Sequence, residues 1–528
     1  MDSDAEEAVR FIPAPPAAAA EGQPEADEKE INSQRMRTVT LINLAGMMER
    51  MDEQILPALY NALGKAFDAS PTELGYLTLS RALVQAFASP LGGVAGHYMN
   101  RIKVTAFGCL LWGCMTAGFG LCSSVPQGIF FWGMNGIGLA LVIPSGQSLV
   151  ADYYPSASRG SAFGALYLTS ALGGMGGSFF ATNLGELTFE DIPGWRMTFF
   201  IVAAISLFIG ICNLFIGKDP VFDGPAKKTA KAVPMGKLME QIWKMMSIPT
   251  FALIIVQGIV GSIPWTALVF FTLYLQLLGM SDFAASVLMS LFLGSTALGG
   301  LLGGYVGDYA AKGWPQHGRI FACQFSVAIG IPFSVLILKG LPENGASHTV
   351  YLYGFVLIVF GLLKSWAGPC CNNPIFAEIV PAHMRNMVYA FDRCFEGALA
   401  ACAAPLVGKL AEKMFGFSGA ATRSGDVDKD LERARALGSS LLVFLIVPWT
   451  LCLVFYSGLH FTYSRDKRYA AREEALLTQE NAAATAVAVT TGRYSSELGR
   501  PFSSSAPVDT SEDSHLLNGI SGKSRHAR

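Results

Sequence analysis

The stretch 39–63, VTLINLAGMMERMDEQILPALYNAL, puts three acids and one base where proton or anion chemistry can occur inside a membrane. It is long enough to cross a bilayer as a helix. Ten apolar or small residues, 39–48, precede Glu49, which at ~1.5 Å per residue is ~15 Å, about half a hydrocarbon core. Glu49 therefore falls near mid-membrane. Glu49, Asp52 and Glu53 are spaced i, i+3, i+4 and share a helix face, with Arg50 about a quarter-turn round and Met48, Met51, Ile55 and Leu56 beside them. Lipid cannot be what that face meets, because ionisable groups at such depth are costly and mark a substrate, ion or proton path, or else a buried structural pair. Two readings stand for this segment: a proton-coupling site of Glu49, Arg50, Asp52 and Glu53, or a structural Arg50–Glu53 pair.

Other chemistry is sparse. The ten cysteines fall almost wholly in apolar runs (Cys109, Cys114, Cys212, Cys323, Cys402, Cys452), where a thiol acts as a small buried hydrophobe, and no disulfide framework is inferred. Cys370 and Cys371 are adjacent but lack the nearby His or Cys of a metal set, so no metal or other cofactor is expected. No phosphate-binding loop, zincin motif or nucleophile elbow is present. The chain is not expected to be an enzyme.

These residues sit in a chain of 528 residues that is 52% hydrophobic and only 15% charged, with a mean hydropathy of +0.40. That composition indicates a polytopic membrane protein. A net charge of −2 and the lack of a basic, aromatic-rich surface argue against nucleic acid as a partner. Apolar segments of spanning length recur at about 38–63, 72–99, 103–122, 126–151, 158–182, 195–216, 249–278, 283–311, 319–339, 349–379, 386–408 and 437–460. The one long internal break, 217–247, is basic and divides them six and six. The expected organisation is an acidic disordered tail (1–37), a six-helix bundle (38–216), a cytosolic basic linker (217–247), a second bundle (248–462) and a disordered cytosolic tail (463–528). Without a short apolar leader, the first span is expected to serve as the insertion signal.

The halves repeat. A-[DE]-x-x-P-x-x-x-R occurs at 151–159 after the fourth span and at 377–385 after the tenth, while G-x-x-G turns at 93–96 and 304–307 close the second and eighth. Arg101, Lys103, Arg159, Lys312, Arg319, Arg385 and the basic linker crowd one set of loops, against Lys65, Arg196 and Lys339 opposite, so both termini are expected in the cytosol. The mixed-charge stretch 409–435 is read as an outer loop. Glycines 173, 174, 176 and 177 in span five and 294, 299, 300, 303 and 304 in span eight allow close helix approach.

The six-plus-six layout, the repeated A-[DE]-x-x-P-x-x-x-R and the G-x-x-G-D turn at 304–308 resemble the major facilitator superfamily over about 38–460. Within it, 41–57, with its acid–Arg pair a few residues before I-L-P, is similar to the spinster-like branch. Two departures stand out: His97 replaces the loop acid after span two, and Trp132 and Leu139 occupy the fourth span where spinster proteins carry Arg and Glu. The resemblance implies an all-α membrane fold of twelve transmembrane helices in two pseudo-symmetric bundles, with a mid-membrane cavity lined by spans one, four, seven and ten and alternating access by rocking. It implies substrate contacts from Asn135, Gln147, Trp265, Lys364, Asn372, Asp392, Arg393 and Glu396, with Lys364 too deep to reach headgroups easily. Cytosolic gating falls to Asp152, Arg159, Asp308, Glu378 and Arg385; Asp308, Glu378 and Arg385 are expected to complete a latch in the second half, the first being weakened by His97.

The expected function is secondary active transport, driven by a proton or other ion, of an amphipathic or anionic organic solute, lysolipid- or sphingolipid-like by resemblance. The alternatives are an uncoupled facilitator of a small organic anion or sugar, a transporter-like receptor, and an intramembrane lipid-modifying enzyme. In the first span two negative charges remain in excess of Arg50, with Lys364 and Arg393 as the cations available to offset them. The motif E-D-S-H-L-L at 512–517 resembles an acidic dileucine signal, so sorting adaptors are expected at Glu512, Leu516 and Leu517. The membrane is then endolysosomal or vacuolar, and otherwise the plasma membrane.

Overall fold

Local signals in the sequence explain where the helices start and stop. Ser70 caps the helix Pro71–Tyr98 by accepting from the Glu73 amide while Glu73 returns the bond, and Pro71 occupies the first turn, where its missing N–H costs nothing. Asn100 Oδ1 caps Arg101–Gly120 from the Ile102 and Lys103 amides, and Ser281 caps Asp282–Gly313. Prolines break what would otherwise continue: Pro57 precedes the step from Glu25–Ala58 to Tyr60–Phe67, and Pro264 precedes the tight turn Leu268–Phe270.

A computed structural model describes residues 25–154, 156–220, 222–223, 243, 247–379 and 394–498. Its first half comprises Glu25–Ala58 with Tyr60–Phe67 (span one), Pro71–Tyr98 (two), Arg101–Gly120 (three), Val125–Tyr153 (four), Ser156–Gly185 (five) and Gly194–Ile216 (six). The second comprises Pro249–Ala267 with Phe271–Leu277 (seven), Asp282–Gly313 (eight), Gly318–Val335 with a wide turn Leu336–Gly340 (nine), and Ser347–Lys364, which passes through the wide turn Ala367–Asn372 into Asn373–Ile379 (ten). Span eleven is described from Cys394 to Phe415, and span twelve lies in Val427–Leu498. Helix is thus already present at Glu25 and persists to Leu498, inside both regions read from composition as disordered. Of the described residues, 25–473 belong to one compact unit and 474–498 to another. A hairpin, Thr188–Phe189 with Ile192–Pro193, is the one pair of strands among the described residues.

Nine helices among the described residues are long and apolar enough to cross a membrane. Span one falls short because of its four charged side chains, span two chiefly because of Arg81 and Gln85, and span five because Ser, Thr and Gly dilute it. Within the first half, span one packs on five, two on four, and three on six; in the second, eight packs on ten. Gly173, Gly177, Gly299 and Gly303 allow close approach as expected, whereas at Gly174, Gly176, Gly300 and Gly304 a Cβ would meet nothing nearer than 3.6 Å. A Cβ at Gly173 would sit 2.1 Å from the Met47 carbonyl oxygen, so spans one and five touch backbone to backbone.

The halves meet along spans two and eleven and along five and eight. Their polar links gather at the end opposite the basic loops. Ala421 N donates to Ala69 O (2.8 Å), and Thr422 Oγ1 and Arg423 N donate to Asn61 Oδ1 (3.1 and 2.9 Å). Glu412 accepts from the Thr72 amide (2.9 Å), while within the second half Arg423 Nη2 pairs with Asp282 (2.8 Å). The segment between spans eleven and twelve is therefore a strap laid across both halves.

Candidate functional site

Helical geometry decides how the charges of span one divide. At 100° per residue, Asp52 lies 60° to one side of Glu49, whereas Glu53 and Arg50 lie 40° and 100° to the other. The structure separates them accordingly. Arg50 Nη1 donates to Glu53 Oε2, and its Nε is 3.8 Å from Glu49 Oε2; the Arg50 and Glu53 side chains are each 40% exposed. Asp52 is fully buried on the other side, accepting from Thr116 Oγ1 (3.1 Å) of span three and Asn135 Nδ2 (3.2 Å) of span four. Its charge partner is Arg81 of span two, whose Nη1 is 4.0 Å from Asp52 Oδ2 and donates to the Asp52 carbonyl at 3.5 Å. The guanidinium also lies over the Trp132 ring at 5.4 Å.

The expectation that Lys364 and Arg393 are the cations available to these acids is thus corrected. A third, Arg81, is already in place beside Asp52. Asn135 is drawn into this internal network and touches Asp52 and Thr116, while Gln147 is half-buried farther along span four. Trp132 and Leu139, the positions at which the chain departs from spinster proteins, are core residues; Trp132 packs on Phe119 and Phe199.

In the second half, Lys364 closes the regular part of span ten and is 2% exposed. Its Nζ lies 4.4 Å from the Trp449 ring centroid and 5.8 Å from that of Trp265. Its stem runs over Gly330, where a Cβ would be 2.7 Å from Lys364 Cδ and Cε. Lys364 therefore points among spans seven, nine and twelve. Asn372 Oδ1 accepts from Tyr456 (2.9 Å), and Glu396 lies on Gly258, so close that a Cβ there would overlap its carboxylate. Asp392 and Arg393 lie outside the described residues.

At the basic end, Arg101 at the start of span three holds two acids. Its Nε and Nη2 donate to Asp219 (2.9 and 2.6 Å), its backbone N–H does so at 2.9 Å, and its Nη1 donates to Asp152 and to Ser148. Asp219, at the head of the basic linker, is fully buried and fills the role left open by His97. In the second half, Asp308 pairs with Arg319 (2.7 Å) and is 65% exposed, while Glu378 takes Lys467 (2.9 Å) and the Tyr463 hydroxyl. Arg385 lies outside the described residues, as does the side chain of Arg159. Among the described residues, the first-half cluster around Arg101 is the more enclosed of the two.

The profile of the Major Facilitator Superfamily matches residues 42–405. Multidrug resistance protein 2 of Bacillus subtilis (strain 168) is 27% identical over 192 residues, 36% of this chain and 46% of that one. The cis,cis-muconate transport protein of Acinetobacter baylyi is 24% identical over 190 residues, 35% and 45% of the two chains. The chain thus spans about half the length of these curated relatives. Among solved structures, a bacterial homologue of the human lysosomal transporter Spinster, inward-facing and occupied, superposes with a TM-score of 0.68 at 18% identity, covering 82% of this chain and 98% of that one. A D-xylose–proton symporter gives 0.58 at 14% identity, covering 78% and 98%. With a matching profile over most of its length, this many-helix fold and paired turns in both halves, the chain belongs to the Major Facilitator Superfamily.

Proposed function

We propose that this protein is a proton-coupled secondary transporter of an anionic organic solute. The observation that carries the reading is the division of charge in span one. Asp52 is paired internally with Arg81, whereas Glu49 and Glu53 both approach Arg50, and Arg50 and Glu53 are substantially exposed. At mid-membrane depth a trio of that exposure must meet water or a ligand, since lipid would make it too costly. A proton on Glu49 releases Arg50 from one of its two acids, and loss of that proton restores the pair, so proton and solute compete through one cation. The strap crosses both halves at the far end, and we take the basic end, expected to be cytosolic, as the approach for solute. Lys364, beside Trp265, is the cation we assign to the solute's negative charge, and Asn372, Glu396, Asp392 and Arg393 are our further candidates for solute contact. A lysolipid or sphingolipid is the class that resemblance to spinster proteins favours.

Flux in proteoliposomes, with and without an imposed pH gradient and with chemical analysis of the product, tests this. Gradient-driven accumulation of unchanged solute supports it. Equilibration without accumulation would leave a facilitator, binding without flux a receptor, and an altered product an enzyme. Glu512, Leu516 and Leu517 lie outside the described residues, and we read them as an endolysosomal sorting signal. Leu516→Ala with Leu517→Ala should move the protein to the cell surface by microscopy, and an unchanged distribution would mean that the motif is a chance match and favour the plasma membrane instead.

A further inference from the structure

Four polar side chains join spans nine and twelve at the basic end of the second half. Ser457 Oγ donates to the Leu453 carbonyl (2.9 Å) and accepts from Gln324 Nε2 (3.0 Å), and Gln324 Oε1 is 3.2 Å from His460 Nε2. His460 Nδ1 is in turn 2.9 Å from Nδ1 of His317, the residue that precedes span nine. Proton counting assigns every donor. The one hydroxyl hydrogen of Ser457 is spent on Leu453, so Gln324 presents its amide hydrogens to Ser457 and its carbonyl oxygen to His460. His460 then carries its hydrogen on Nε2 and is bare at Nδ1, and the contact closes because His317 holds its own hydrogen on Nδ1. The Phe321 ring, one turn into span nine, packs against both imidazoles, with centroids 6.3 Å from that of His317 and 4.6 Å from that of His460.

This arrangement admits one added proton and not two. The first goes to Nε2 of His317, and the bond to His460 survives as a charge-assisted one. A second has to enter at His460 Nδ1, which brings two N–H groups head to head across 2.9 Å with like charges on adjacent rings. Among the described residues no carboxylate lies within ion-pair distance of either ring to relieve them. The acids on the neighbouring elements are already engaged: Asp308 of span eight by Arg319 of span nine, Glu378 of span ten by Lys467 and Tyr463 of span twelve, and Asp466 by Arg465 and the Thr250 amide. Of the remaining bases, Lys312 at the end of span eight is exposed, and Arg468 turns back onto the Ser464 carbonyl. The position of the bond gives it leverage. The His317 carbonyl accepts from the Phe321 amide (2.9 Å) and so opens the first turn of span nine, and Arg319, two residues on, joins Asp308 to the Cys370 carbonyl (3.3 Å) in the wide turn after Lys364.

We propose that His317 and His460 form an acid-sensitive clasp, which fixes the start of span nine against span twelve while the pair carries at most one positive charge and releases it when a second proton arrives. The clasp acts on the second half from the basic end and is independent of the proton assigned to Glu49. Below about pH 6.5 the opened pair takes up two protons where the closed pair takes one, so closure holds at neutral pH and is lost progressively as the pH falls.

Two measurements on the full chain in lipid nanodiscs test the clasp. Solid-state 15N NMR of histidine-labelled protein at pH 8 reads the tautomers, with His317→Gln and His460→Gln assigning the two rings by difference. His317 should be the Nδ1–H form and His460 the Nε2–H form. Hydrogen exchange of amides 317–321, corrected for the chemical rate at each pH, reads closure. Protection in the parent should fall about tenfold from pH 7.5 to pH 5. In His460→Gln, whose side-chain oxygen can accept from His317 without titrating, protection should stay level across that range, and likewise in His317→Gln. An equal fall in either variant, no fall in the parent, or Nε2–H on both rings would each overturn the proposal.

Discussion

At the scale of residues, Asp52 and Arg81 make opposite demands on the fold from those of the neighbouring trio. Both are buried, and their attraction has to offset desolvation with help from Thr116 and Asn135. Removing one partner strands the other. Arg81→Met should therefore destabilise the protein by about 3–5 kcal/mol, whereas Arg81→Met combined with Asp52→Asn should recover most of the loss. Thermal unfolding of the three detergent-purified variants checks this, and equal stability of the single and double variants would contradict it. Arg81 was legible in the sequence by the argument that found Glu49, since it stands eleven residues into the helix Pro71–Tyr98. It escapes notice when span two is treated as scaffold and the cavity-lining spans are taken from the family pattern. The divergence of Asp52 from Glu53 was equally available as helix angle. Which side each acid takes depends on neighbours far away in the chain, and periodicity alone does not supply them.

At the scale of elements, apolar runs and the repeated A-[DE]-x-x-P-x-x-x-R turns made the helices and the two halves readable, because length and twofold repetition are local properties. What joins elements was less visible. Asp219 sits in a lysine-rich linker and reads as one more flanking charge, yet it closes the first-half latch through three bonds to Arg101. The wide turn after Lys364, at Ala367–Asn372, had only Gly368 and Pro369 as sequence signals. Because Asp219 is buried and Asp308 exposed, Asp219→Asn should disturb the cytosolic latch more than Asp308→Asn does. Accessibility of single cysteines at the basic end to a soluble maleimide, compared at matched expression, measures it. A larger change in Asp308→Asn would restore the second half as the controlling latch.

At the scale of the whole molecule, polar contacts cluster at the strap between spans eleven and twelve and at the basic loops of the other end, and the proposed transport cycle requires each cluster to break in turn. Arg423 ties the strap to Asp282, and its backbone holds Asn61, so its loss should favour opening at the strap end. Arg423→Cys should react with a membrane-impermeant thiol reagent from the non-cytosolic side, and Arg423→Ala should raise the labelling of a cysteine placed at Ser286 from that side. Labelling of Arg423→Cys only from the cytosol would reverse the orientation and with it the end taken as the approach for solute.

The most direct test of proton coupling is the variant Glu49→Gln in proteoliposomes, using the solute that the flux screen identifies. The account predicts that accumulation driven by a pH gradient is lost while exchange of labelled for unlabelled solute at uniform pH persists, because a permanently neutral side chain leaves Arg50 with Glu53 alone and removes the proton's hold on it. Accumulation against a gradient equal to that of the parent protein would contradict it and make Glu49 a structural partner of Arg50.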